Sequence, residues 1–164
     1  MHSNSNPFTG YMLIPHYFKR VGGILLLFGS LLTYLWYGSE MNPKLFDCKV
    51  FAVYSAYFKT RWFAIIDNNI IEELCGIMIL IGLFMIAFAR EKDEIPHYIE
   101  IRFKALMISV ILSTAMILFS FLFIYGTAFL AVMIFNTFLP LVLYILLFFF
   151  MLYKYKYENK DKLI

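Results

Sequence analysis

The chain has 164 residues, 62% of them hydrophobic and only 15% charged. Soluble domains average about 45–50% apolar and about 25% charged, and a water-soluble globule of this length has too little interior to hide 19 phenylalanines. The net charge of +3 is mild, and the Lys and Arg residues sit in small groups beside apolar runs rather than on one solvated face, which excludes a nucleic-acid binder.

Charges punctuate the chain into runs. The first uncharged run, Val21–Ser39, is 19 residues long and follows Lys19 and Arg20. One crossing needs roughly 20 apolar residues, so this run predicts a span over about 18–38. The polar leader is long, and no small-x-small cleavage site follows Tyr34-Leu35-Trp36-Tyr37, so the span reads as retained rather than as a signal peptide.

Residues 39–67 form the largest predicted extramembrane piece. Phe46, Cys48, Val50, Ala52 and Tyr54 alternate with Asp47, Lys49, Phe51 and Val53, and Trp62-Phe63-Ala64-Ile65-Ile66 follows. Alternation fits two short strands in a hairpin, and an interfacial helix competes with it because short apolar runs suit either. Asp67-Asn68-Asn69 then leads into a second span over about 69–89. Asn69 and Glu72 have capping-box spacing, and Glu72 and Glu73 sit where free helix N–H groups favour acids. The same Asn68, Asn69, Glu72 and Glu73 would alternatively form an acidic mouth for cations or protons.

After the second span comes Arg90-Glu91-Lys92-Asp93-Glu94, with Pro96 expected to stop any helix and with Glu100, Arg102 and Lys104 leading onward. This loop, 90–103, reads either as a solvated connection with local ion pairs, each about 1 kcal/mol or less, or as a docking surface whose mixed charge selects a partner.

The final uncharged run, Ala105–Tyr153, holds 49 residues and must contain two spans with a turn, best placed at Gly126-Thr127. The predicted spans are about 104–125 and 128–153, followed by a tail over 154–164. Ala105, Ser109 and Ser113 make a small-residue stripe in the third span. Gly22, Gly29 and Thr33 make one in the first, and Cys75, Gly82 and Ala89 one in the second. Such stripes let helix backbones approach in lipid. Pro140 takes the hydrogen-bond donor away from the carbonyl of Asn136, and Asn136 itself is able to bond across a bundle.

Ten of the 14 Lys and Arg residues fall in the N-terminal flank, the segment from Arg90 to Lys104 and the tail. By the positive-inside rule both termini are expected in the cytoplasm. The fold expectation is an all-α, four-helix integral membrane bundle in one domain, in the inner membrane, with a short outer loop.

Residues 67–69, Glu72-Glu73 and the exit Ala87-Phe88-Ala89-Arg90-Glu91-Lys92 resemble a family of small four-span bacterial inner-membrane proteins of uncharacterised function. The resemblance covers mainly residues 46–106. It implies the span count and no activity.

Nothing in the sequence implies a cofactor or metal. His2, His16 and His97 are isolated, and there is no C-x-x-C pair. Cys48 and Cys75 would both face an oxidising compartment, and a bridge between them competes with two free thiols. Ser109, Ser113 and Ser120 have no acid or His at their depth, so a nucleophile–base pair for lipid chemistry is missing. The expectation is a non-enzymatic accessory or signalling protein whose partners are the bilayer and a protein, or another copy of itself. The alternative is a small transporter or channel subunit using Glu72, Glu73 and Asn136.

Overall fold

The computed structural model describes residues 13–38, 46–56, 60–92 and 94–159. Its elements run α1 (Phe18–Gly38), β1 (Asp47–Ala56), β2 (Thr60–Asn69), α2 (Ile71–Phe88), α3 (Pro96–Phe123) and α4 (Thr127–Glu158). All four helices are long and apolar enough to cross a membrane. The chain is a multi-pass membrane protein. Many of its large apolar side chains lie open, Leu27 for example at 72% exposure, as lipid-facing positions should.

By contact the chain divides into two compact units, Met1–Gly23 with Gly82–Ile164, and Ile24–Ile81. In the first, α3 and α4 pack antiparallel. Tyr98 meets Tyr155 near one end and Phe121 meets Phe129 near the other, with ring centroids 6.1 and 5.3 Å apart. The seam on α3 is the small-residue stripe. Ala105 and Ser109 are fully buried, and Ser113 and Ser120 nearly so. Each serine hydroxyl bonds a carbonyl three or four residues back, so no polar group is left bare in the seam. The start of α1 joins this unit at Gly22, where an added Cβ would lie 2.8 Å from the Gly82 carbonyl oxygen.

The chain turns from α3 to α4 at Gly126, whose φ of 73° and ψ of −148° suit only glycine. Helix α4 continues through Pro140 and runs past the apolar stretch to Glu158. At 32 residues it is about 48 Å long at about 1.5 Å per residue. Thr137 Oγ1 donates to the Met133 carbonyl rather than rescuing that of Asn136.

In the second unit, β1 and β2 form an antiparallel hairpin, pairing Asp47 with Asn69, Phe51 with Ile65 and Tyr54 with Trp62. This decides against the interfacial helix. The β-branched and aromatic residues that alternate along both strands have the shape a pleated ribbon takes. Phe63 is the one described non-glycine residue with positive φ, 49°. In this unit α1 and α2 meet at Gly29, where an added Cβ would lie 3.1 Å from Ile79 Cγ1.

Two boundaries differ from expectation. Pro96 opens α3 instead of stopping a helix. At the first helical position its missing N–H is no loss, and its fixed φ already suits the turn. The predicted 90–103 loop therefore shrinks, and Glu100, Arg102 and Lys104 ride on α3 rather than preceding it. Asn69 ends β2, two residues before α2. Its Oδ1 accepts the Ile71 N–H at 3.2 Å, a local cap displaced from the predicted Asn69–Glu72 box.

Candidate functional site

The two polar concentrations lie at opposite ends of α2, one in each unit, and each is built differently.

The C-terminal end of α2 leaves carbonyls without intrahelical partners, as every helix end does. Three consecutive ones are closed by distant groups. Arg102 Nη1 donates to the Ala87 carbonyl at 3.1 Å and Nη2 to that of Ala89 at 2.9 Å. The Phe88 carbonyl accepts the Ile14 N–H at 3.0 Å, and Arg90 N–H returns a bond to the Ile14 carbonyl at 2.9 Å. The leader segment thus lies as a short parallel bridge against the end of α2.

Arg102 is 7% exposed. Its Nε donates to Glu94 Oε1 at 3.1 Å, Nη1 also reaches the Tyr144 hydroxyl at 3.3 Å, and Nη2 also reaches Glu94 Oε2 at 3.3 Å. A guanidinium has five N–H donors in a planar fork, and this one has a partner for each. The Phe148 ring lies 4.3 Å beneath it. Glu94 is correspondingly buried, and its Oε2 accepts the Glu91 N–H at 2.6 Å. Glu91 pairs in turn with Lys19 at 2.6 Å, whose ammonium sits 4.3 Å over the Phe149 ring. One end of α1, α2, α3 and α4 is therefore tied by a single polar knot with apolar walls.

No family model, curated protein or solved structure matches this chain.

The predicted docking segment 90–94 is thus largely turned inward. Glu91 and Glu94 serve Lys19 and Arg102, Arg90 is half-buried, and Lys92 is exposed. Asp93 lies outside the described residues, as do His2, Lys44, Lys59 and the tail from residue 160. Arg102, the centre of the knot, was read from sequence only as a loop cation. The available signal was spacing, since Tyr98, Arg102, Ala105, Ser109 and Ser113 fall on one helical face once α3 is begun at Pro96.

At the N-terminal end of α2, Glu72 and Glu73 are exposed. Glu72 Oε1 accepts from Trp36 Nε1 at 3.3 Å, and Glu73 Oε1 accepts from Asn68 Nδ2 at 3.1 Å. Asn69 Nδ2 donates to Asp47 Oδ1 across the hairpin at 2.8 Å. Val50, Ala52, Tyr54, Ser55, Ile66 and Asn68 of the hairpin, with Glu73, line an open hollow of about 370 Å³. Elsewhere on the ribbon Phe51 and Phe63 are 65% and 69% exposed, beside the open Val53 and Ile65. Their rings lie 6.4 Å apart, so they form one patch.

Asn136 is half-buried within α4. Cys48 and Cys75 are free thiols, the first exposed on β1 and the second buried in the opening turns of α2. Among the described residues no three of His, Cys, Asp or Glu converge as a metal ion would require.

Proposed function

We propose that this chain is a non-enzymatic, partner-binding membrane protein that offers its β1–β2 hairpin to an extended segment of a partner protein. The single observation that carries the reading is the open apolar patch of Phe51, Val53, Phe63 and Ile65 on a ribbon of only two strands. Isolated hairpins are marginal in water. Among the described residues neither of its outer backbone edges is paired, and such edges recruit a further strand. A strand added along one edge would also bring side chains over the patch.

The rest of the reading follows the charge distribution. Lys and Arg concentrate at the knot end and tail, which supports an inner-membrane protein with both termini in the cytoplasm and the hairpin outside. It also fits the small four-span bacterial proteins that residues 46–106 resemble. The acidic pair of α2 has hydrogen bonds to Trp36 and Asn68, so a capping and tethering role is favoured over an ion path through Glu72, Glu73 and Asn136.

Photocrosslinking in intact cells tests the reading, with a benzophenone amino acid at Phe51 or Phe63. A discrete protein adduct is expected at both positions, with the crosslinked partner peptide in a predicted or known strand. Replacing both with Asp should abolish the adduct while all four spans still insert. Adducts to lipid alone, or none, would remove the reading.

A further inference from the structure

Arg90 is the unsolved member of the polar knot. Its backbone N–H is spent on Ile14, and its side chain is half-buried. Its Nε is fully buried and has no hydrogen-bond partner. Its neighbours are committed elsewhere, Glu91 to Lys19 and Glu94 to Arg102. A buried donor without an acceptor is rare and marks a missing partner, the more so on a permanent cation.

An apolar groove of about 220 Å³ opens in the same unit. Leu13, Phe88, Ile99, Phe103 and Leu106 line it, with Arg102 and Tyr144. Two of its walls, Leu13 and Phe88, flank the backbone ladder that holds Arg90 in place. Arg20, Lys92 and Lys104 are further exposed cations of this unit. A cation with an orphan donor, and an apolar slot walled by its chain neighbours, call for one ligand that is anionic at one end and aliphatic at the other.

We propose that this corner binds an anionic phospholipid, with the phosphate on the Arg90 guanidinium and part of an acyl chain in the Leu13–Phe88–Leu106 groove. The helices that carry the site are themselves fit to cross a bilayer, and basic pockets among such helices at headgroup level favour anionic lipids. A soluble phosphate would satisfy Arg90 but leave the groove empty. This proposal does not depend on the partner reading.

The test uses the full chain purified in a mild non-ionic detergent, with its melting midpoint followed by loss of the monodisperse peak. Phosphatidylglycerol should raise the midpoint by about 5 °C or more. Phosphatidylcholine and inorganic phosphate at equal concentration should each raise it far less. Arg90→Gln should lose the phosphatidylglycerol shift, while Lys104→Gln keeps most of it. Where Arg90→Gln does not fold, Leu106→Trp fills the groove and leaves Arg90 intact, and it too should lose the shift. An equal shift from phosphatidylcholine, a full shift from phosphate alone, or a shift that survives either Arg90→Gln or Leu106→Trp would overturn the proposal.

Discussion

Arg102 shows how one side chain organises its surroundings. It is nearly without solvent contact, yet it bonds two backbone carbonyls, a carboxylate and a phenol. Removing it strands Glu94 as a buried charge and bares the Ala87 and Ala89 carbonyls. Loss of one partner from a buried pair costs about 3–5 kcal/mol, so Arg102→Ala should lower the melting midpoint in detergent sharply. Arg102→Lys should recover little of this, because a single ammonium cannot reproduce the planar fork. Pairing Arg102→Met with Glu94→Met should be milder than Arg102→Ala alone. If instead the two losses simply add, the coupling is absent. Sequence reading missed this role for a physical reason. A charge beside an apolar run has the same appearance whether it is solvated or sealed by a helix that arrives 42 residues later. Only the inter-helix packing separates the two cases.

At the scale of elements, the small-residue stripes were legible because close packing admits few residue types. Ala105, Ser109 and Ser113 were marked by spacing alone, and all three are buried. The glycines sharpen this into a paired prediction. At Gly22 an added Cβ would press within 2.8 Å of both a backbone oxygen and Met85 Cβ, whereas at Gly23 nothing lies within 4 Å. Gly22→Ala should therefore destabilise by about 1–3 kcal/mol through overpacking. Gly23→Ala should be neutral or slightly stabilising, since alanine is the better helix former by about 1 kcal/mol. Equal effects in thermal melts would refute the close approach. The turn offers a second case, in which Gly126→Val should cost about 1–3 kcal/mol for its backbone conformation alone. Helix ends were less legible. Pro96 is compatible with either stopping or starting a helix, and the decision rests on the partners that Ile95 and Arg102 find, which a local window does not contain.

For the whole molecule, hydropathy and charge were enough to foresee four crossings, because the bilayer imposes a length on each. They were not enough to give the hairpin, which both periodicities allowed. The two native thiols offer a direct check on the proposed orientation. In intact cells a membrane-impermeant maleimide should label Cys48, which is exposed, and leave Cys75, which is buried, until the protein is unfolded. Labelling of Cys48 only after the cytoplasmic face is opened would reverse the proposed topology. Labelling of both in the native state would mean that the opening turns of α2 are looser than their packing suggests.

The partners of Arg102 are spread along the chain, and this gives biogenesis an order. Glu94 and the α2 carbonyls leave the ribosome before Arg102, whereas Tyr144 and Phe148 come well after it. Until α4 arrives the guanidinium lacks its phenol and ring partners. The last helix is therefore the closing event of assembly. A chain released before residue 144 should leave α3 poorly anchored and susceptible to membrane proteases, while the same chain extended through Phe148 should be spared. On this view the fourth helix is the cap that completes the partner set of a cation on the third.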